Sequence, residues 1–265
     1  MNKSSLYFKV HPVTLDGSQT MLDKYFHLIP QDINEKKKLL DIGSGPGNIT
    51  CSLLPLFKGS IEKAIGIDIS TEMVNFANSS FGNSVLSFEV LDVQYNAPIK
   101  YLNYFDYVFS FWTLHWIKDQ RKLYTNIFEM MKPKGTIFVT CVAYSKFYNI
   151  YKKIWKNKKY SSYIRDDAEK SHSCFQNWEN PKDDLEKILN DVGFQVEMCK
   201  IENVVTIGEK SVMKDFLRSI NLVYDEIPGH LQEEFIEDHL SEIDQDTDGK
   251  YKIDYELFVI CAMKN

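Results

Sequence analysis

The chain has 265 residues, with 31 lysines and arginines against 37 aspartates and glutamates and a formal net charge of −6. That length suffices for one large α/β domain with insertions, and the acidic, interleaved charge argues against a broad phosphate-backbone interface and so against a nucleic-acid partner. No apolar run approaches the ~20 residues of a membrane span, no signal-peptide core opens the chain, and Cys51, Cys141, Cys174, Cys199 and Cys261 show no metal-ligand spacing, so a soluble, cytoplasmic protein without a bound metal is expected.

Residues 1–27 carry no strand signal. Leu15, Met21, Leu22, Tyr25 and Phe26 fit an amphipathic helix with Ser18 as its cap, placed to cover a sheet edge or to close over a ligand as a lid. An alternating pattern follows. A strand at Lys38–Ile42 leads to a helix from about Pro46 to Phe57, then come a strand at Lys63–Ile67 ending in Asp68 and a helix capped by Ser70. Val85–Leu91 is a third strand, ending in Asp92, and Tyr104–Phe111 a fourth, apolar almost throughout, as a strand buried on both faces requires. Asp119 opens the next helix, and Pro133-Lys134-Gly135 turns the chain into a fifth strand, Thr136–Ala143. This β-α rhythm predicts a mostly parallel, doubly covered sheet.

After Tyr144 the rhythm breaks. The stretch to Trp178 is dense in aromatic residues and lysines and reads as a helical insertion. A helix at Pro181–Val192, closed by Gly193, returns the chain to a strand at Phe194–Ile207. A second helical insertion covers Ser211–Ile243, and a strand at Tyr251–Met263 ends the chain. The predicted core is therefore about 28–144, 181–208 and 244–265, with caps at about 145–180 and 209–243 and a lid at 1–27, all one domain. Asp244-x-Asp246-x-Asp248-Gly249 imitates the start of a calcium loop, but Tyr255 stands where that loop needs its bidentate Glu, so an acidic hairpin loop is expected.

The chemistry concentrates at Lys38–Thr50, where Asp41 sits inside the strand end and Gly43, Gly45 and Gly47 follow with single spacers. A P-loop requires Gly-Lys-Ser/Thr, and Asn48 follows Gly47 instead. A dinucleotide fingerprint is likewise incomplete, because Asn48 occupies its third glycine position. Acid-x-Gly-x-Gly-x-Gly resembles the first motif of class I S-adenosylmethionine (SAM) methyltransferases. SAM carries an ammonium and a sulfonium but no phosphate, so the embedded acid suits it. In a doubly wound sheet, ligands lie outside the carboxyl ends of the strands. Asp41, Asp68 and Asp92 all stand there: Asp68 is placed for the ribose hydroxyls and Asp92, with Val93, for the adenine amine. Gly43, Ser44, Gly45, Ile69 and Met73 complete the expected cofactor set, with Ser110 at the end of the fourth strand as a polar contact to the methionine part. Trp112, His115 and Trp116 follow beside the reacting methyl, with Tyr144 a further candidate for the acceptor pocket.

Longer stretches resemble one family. Leu-Asp-Ile-Gly-Ser-Gly-Pro-Gly, then Gly66-Ile67-Asp68-Ile69-Ser70, then Phe109-Ser110-Phe111-x-x-Leu114-His115-Trp116, with Ile220-Asn221 and Ile227-Pro228 in the second cap, are similar to the insect juvenile hormone acid O-methyltransferases. The resemblance implies a Rossmann-like class I methyltransferase fold, α/β with a mostly parallel seven-stranded sheet, helices on both faces and helical caps. It implies SAM as methyl donor, S-adenosylhomocysteine as product, and a hydrophobic, sesquiterpenoid-like acid as the small-molecule partner methylated on its carboxylate. The family's pocket tryptophan falls on Trp116. Its N-terminal glutamine falls on Asp16, with Gln19 the nearest glutamine, and an acid there would repel a carboxylate. The carboxylate of such an acid is already ionised at neutral pH. His115 then orients the acceptor; with a phenol or amine acceptor it would instead be a base. A non-catalytic SAM-fold ligand carrier is the alternative outside enzymes. Monomer and homodimer stay open.

Overall fold

The computed structural model describes residues 12–32, 34–168 and 172–265, and of residues 12–16 the backbone alone. The N-terminal part of the expected lid lies outside the described residues. Seven strands form one sheet: β1 (Lys37–Ile42), β2 (Ile61–Asp68), β3 (Leu86–Val90), β4 (Phe105–Phe111), β5 (Met131–Ser145), β6 (Phe194–Gly208) and β7 (Tyr251–Lys264). Their order is β3-β2-β1-β4-β5-β7-β6. The pairs from β3 to β5 are parallel, and β7 runs antiparallel between β5 and β6. This is the mostly parallel seven-stranded α/β sheet expected from the sequence.

Alternating residues on the central strands feed two separate cores. Leu40, Ile42, Val108, Ile137 and Val139 pack on one face beneath α4 (Gln120–Met130) and α6 (Pro181–Val192). Leu39, Phe109 and Phe138 pack on the other, with residues of α1 (Pro12–Tyr25), α2 (Asn48–Leu53) and α3 (Thr71–Phe81). The helix starts follow capping chemistry: Ser70 Oγ accepts from the Met73 amide at 3.3 Å, and Asp119 accepts from the Lys122 amide at 2.9 Å.

The helix expected from Pro46 to Phe57 is shorter and divided. It begins at Asn48, because Gly47 stands in the left-handed region at φ 87°, and it tightens to a 3-10 turn at Leu54–Phe57, where Pro55 lacks the amide an α-helical bond needs. Among the described residues the first cap is α-helical at α5 (Phe147–Trp155), and residues 156–168 and 172–180 are turns and irregular chain, so the aromatic density there reflects packing rather than a long helix. The second cap holds α7 (Lys210–Ile220) and α8 (Gly229–Ser241), joined by a 3-10 turn at Tyr224–Glu226. A third apolar cluster, including Phe147, Tyr151, Phe216, Leu217 and Phe235, binds α5, α7 and α8 to the upper ends of β5 and β7. Residues 244–250 form the expected hairpin loop, with Asp246 Oδ1 accepting from the amides of Asp248 and Lys250, both at 2.9 Å.

Candidate active site

The strand order reverses between β1 and β4, and a crevice opens at their carboxyl ends. It holds a cavity of about 330 Å³. Asp41, Gly43, Ser44, Gly45, Asp68, Ile69, Met73, Asp92 and Val93 all line it, so the aspartates from three different strand ends meet in one cleft. The glycine turn permits the approach. Gly43 has φ +71° and Gly45 φ +53°, and a Cβ on Gly43 would lie 2.1 Å from Thr113 Oγ1.

The three aspartates differ in environment. Asp41 is 2% exposed; its Oδ2 accepts from the Thr50 hydroxyl at 2.6 Å, and its Oδ1 has no partner among the described residues. Burial raises its pKa to about 7, the Thr50 bond opposing and Asp68 adding to the shift. Asp68 accepts from the Gly45 amide at 2.9 Å and the Ser70 amide at 2.8 Å, which ties the glycine turn to the end of β2. Burial raises its pKa against those amide bonds. Asp92 accepts from the Gln94 amide at 2.9 Å in a tight local turn. Ile69 is 68% exposed at the cavity lip, an apolar surface for a flat ring.

Three of the expected residues, Ser110, Tyr144 and Gln19, lie outside the cavity walls. Ser110 is fully buried, and its hydroxyl donates to the Ile42 carbonyl at 2.8 Å; strand alternation turns it into the sheet while Phe111, Trp112 and Thr113 reach the cavity. Tyr144 is half-buried at a register shift between β5 and β7 and lies outside both cavity walls; Val142 and Ser145 line the second one instead. Gln94, Thr113 and Leu222 also line the first cavity and were not legible as motifs. Leu222 arrives from the second cap, far along the chain from the strands whose ends form the cavity, so no local pattern marks it.

A second chamber of about 70 Å³ adjoins the first, sharing Trp112 and Trp116 with it. His115, Val142, Phe147, Tyr151, Phe216 and Tyr255 contribute to its wall. Trp112 is held at φ +55°, a rare conformation for a bulky residue. Its amide donates to the Thr140 carbonyl at 2.8 Å, its indole donates to Ser18 Oγ at 2.9 Å, and Tyr255 meets its ring edge-on at 5.4 Å. His115 is 2% exposed, and burial lowers its pKa to about 3. Its Nδ1 accepts from the Val142 amide at 3.3 Å, so the neutral ring carries its proton on Nε2. Gln19 hydrogen-bonds Asp23 at 2.7 Å on α1 and lies outside both cavity walls. The side chain of Asp16 lies outside the described residues.

The cleft satisfies the demands of SAM: a glycine turn open to close approach, a carboxylate at each of three strand ends, and two buried polar atoms, Asp41 Oδ1 and Ser44 Oγ, with no partner among the described residues. Sheet order and cleft together define a class I SAM-dependent methyltransferase. The methyltransferase-domain family profile matches residues 33–193, and the chain belongs to that family. The whole chain is similar to juvenile hormone acid O-methyltransferase of Drosophila melanogaster, 29% identical over 280 residues and covering 93% of it. It is also 29% identical over 243 residues to the enzyme of that name from Bombyx mori, with 91% of this chain and 85% of that one covered. Among solved structures, the YcgJ protein of Bacillus subtilis shares the fold, with TM-score 0.61, 16% identity, 93% of this chain covered and 99% of that one. So does phosphoethanolamine N-methyltransferase 2 of Haemonchus contortus in complex with SAM, with TM-score 0.57, 18% identity, and 94% and 52% covered. Among the described residues, no helix is long and apolar enough to cross a membrane, and no cluster of three His, Cys, Asp or Glu is suited to a metal.

Proposed function

We propose that the protein methylates the carboxylate of a small hydrophobic acid of sesquiterpenoid type. Bound SAM supplies an electrophilic methyl group on a sulfonium. One observation carries the reading: the cofactor cavity and an aromatic chamber adjoin, with Trp112 and Trp116 in the walls of both. Asp41 and the glycine turn hold the methionine end, Asp68 the ribose, and Ile69, Asp92 and Val93 the adenine. In the chamber, His115 donates through Nε2 to a carboxylate oxygen, and Trp116 positions it. A histidine kept neutral by burial is a poor proton acceptor, which favours an acid already ionised over a phenol or an amine. The reaction joins a cation and an anion into neutral products, so the ring-lined wall, by keeping water out, favours transfer. Holding both reactants in line lowers the barrier by up to roughly 7–11 kcal/mol. The two full-length relatives, both juvenile hormone acid O-methyltransferases, support the same acceptor class.

The test is incubation with SAM and a panel of isoprenoid acids, fatty acids, phenols and amines, with products read by mass spectrometry. Methyl esters of hydrophobic acids are expected. Methylation of phenols or amines with the acids untouched overturns the acceptor class. Failure to bind either SAM or S-adenosylhomocysteine in calorimetry overturns the enzyme.

A further inference from the structure

His115 and Trp116 sit on a 3-10 turn, Leu114–Trp116, that begins just past the end of β4. A turn so short closes with few bonds of its own: the Trp116 amide donates to the Thr113 carbonyl at 3.0 Å, and the Ile117 amide to the Leu114 carbonyl at 3.2 Å. A side chain from outside completes it. Gln120 is 2% exposed at the start of α4 and lies outside both cavity walls. Its Nε2 donates to the Leu114 carbonyl at 2.9 Å and to the Ile117 carbonyl at 2.6 Å, which places one proton on each side of the His115-Trp116 pair. Cys174 Sγ stands 3.4 Å from the same nitrogen, and the Cys174 amide donates to the His115 carbonyl at 2.8 Å, so the chain beyond α5 closes on the turn as well. The helix is a fixed base for this contact. Leu123, Tyr124 and Ile127 are fully buried in the first core, and Asp119 caps the helix start.

We propose that Gln120 is a positioning residue for methyl transfer, its amide fixing the turn that presents His115 and Trp116 to the acceptor. This rests on the reading above, in which those two side chains hold the acceptor. A carboxamide offers two protons from one nitrogen, and two carbonyl oxygens are what it meets here. A glutamate of the same shape would set a carboxylate against both oxygens, and a methionine of similar length would offer no donor at all. Either change frees Leu114 and Ile117 from α4. The consequence falls on alignment, where a displacement of about 1 Å at groups that orient a reactant costs up to about a hundredfold in rate. The cofactor cavity feels the change through Trp116 and Ile117 but keeps its glycine turn and its aspartates, which stand at the ends of β1, β2 and β3, so SAM binding changes far less.

Gln120→Met tests this with two readouts. In hydrogen–deuterium exchange with S-adenosylhomocysteine bound, peptides covering residues 113–118 are expected to exchange about tenfold faster than in the wild-type protein, with those from β1 and β5 unchanged. In methyl transfer from SAM to dodecanoic and isoprenoid acids, kcat falls about 10–100-fold while the KM for SAM shifts about threefold or less. Gln120→Glu, which keeps the shape but not the two donors, gives the same split. Unchanged exchange at residues 113–118 in both variants overturns the proposal, and so does faster exchange with wild-type kcat. Exchange that rises equally across the sheet, with kcat lost only in proportion to the folded fraction, makes Gln120 a stabilising residue and overturns the proposal too. If the wild-type protein methylates none of the acids, the carboxylate reading falls alone: kcat is then read on whichever phenol or amine reacts, and the same split decides the role of Gln120. Failure of every acceptor removes the enzyme and this inference with it.

Discussion

Asp41 sets a functional demand against stability. Its folded-state pKa of about 7 lies above the ~3.9 of an unfolded aspartate. A raised pKa means that the group contributes stability below about pH 4 and that this contribution is lost as the pH climbs to about 7. At about 1.4 kcal/mol per unit, the ionised carboxylate costs on the order of 1–4 kcal/mol above neutrality. Asp41→Asn is therefore expected to raise the melting temperature more at about pH 8 than at about pH 5 while weakening SAM binding, as thermal denaturation and calorimetry will read. A cation held beside Oδ1 would recover the cost, which explains how a buried half-satisfied acid serves this cleft. His115 lies at the opposite extreme. With its pKa near 3 it stays neutral throughout the working range. His115→Phe should lower kcat/KM about 10–100-fold, by loss of one bond to a charged group, and equally at about pH 6 and about pH 8. A loss confined to high pH would show a base at work instead.

Among the elements, α1 carries a contact that sequence propensity misjudges. Gly17 lies in its interior, where alanine normally gains roughly 1 kcal/mol. Here a Cβ would sit 2.9 Å from Trp112 Cζ2, against the ring whose indole Ser18 already receives. Gly17→Ala is expected to lower the melting temperature rather than raise it and to raise the KM for the acceptor, because the helix must lift from Trp112. A gain in stability with unchanged KM would detach α1 from the site. Lys24 and Tyr25 fix the C-terminal end of the helix to Glu202 on β6. The ion pairs of Lys214 with Glu233 and Glu237, and of Arg218 with Glu233, align α7 with α8, but the glutamates are solvated and contribute little energy.

Across the whole molecule, the cap is a core of its own. Phe235 is fully buried in the third cluster, away from the two cores on the faces of the sheet. Phe235→Ala should cost about 3–5 kcal/mol. Its effects should be unequal: acceptor turnover falls steeply, because α5 and α7 form the chamber wall, while SAM binding at the strand ends falls much less. Coupled loss of both would mean that sheet and cap fold as one unit. Leu222 is one of the residues that link them, since it reaches from the cap to the cofactor cavity. Arg165 holds that segment through the Leu222 carbonyl and Glu226.

What the sequence determined by itself was the sheet and the cofactor cleft. Asp41, the glycines, Asp68 and Asp92 are legible because each lies at the end of an apolar run, and a parallel sheet puts all such ends on one side. Ser110 was misread for a related reason: it shares the strand end, but side-chain alternation, which reverses with every residue, turns it inward. Tyr144 failed at a register shift that no local pattern announces. Tertiary structure alone decided the chamber. Tyr151, Phe216 and Tyr255 come from segments far apart in the chain, and only the packing of the cap brings them to Trp112 and Trp116. Backbone periodicity is local and can be read along a chain; a wall assembled from distant side chains exists only once the chain has closed around it.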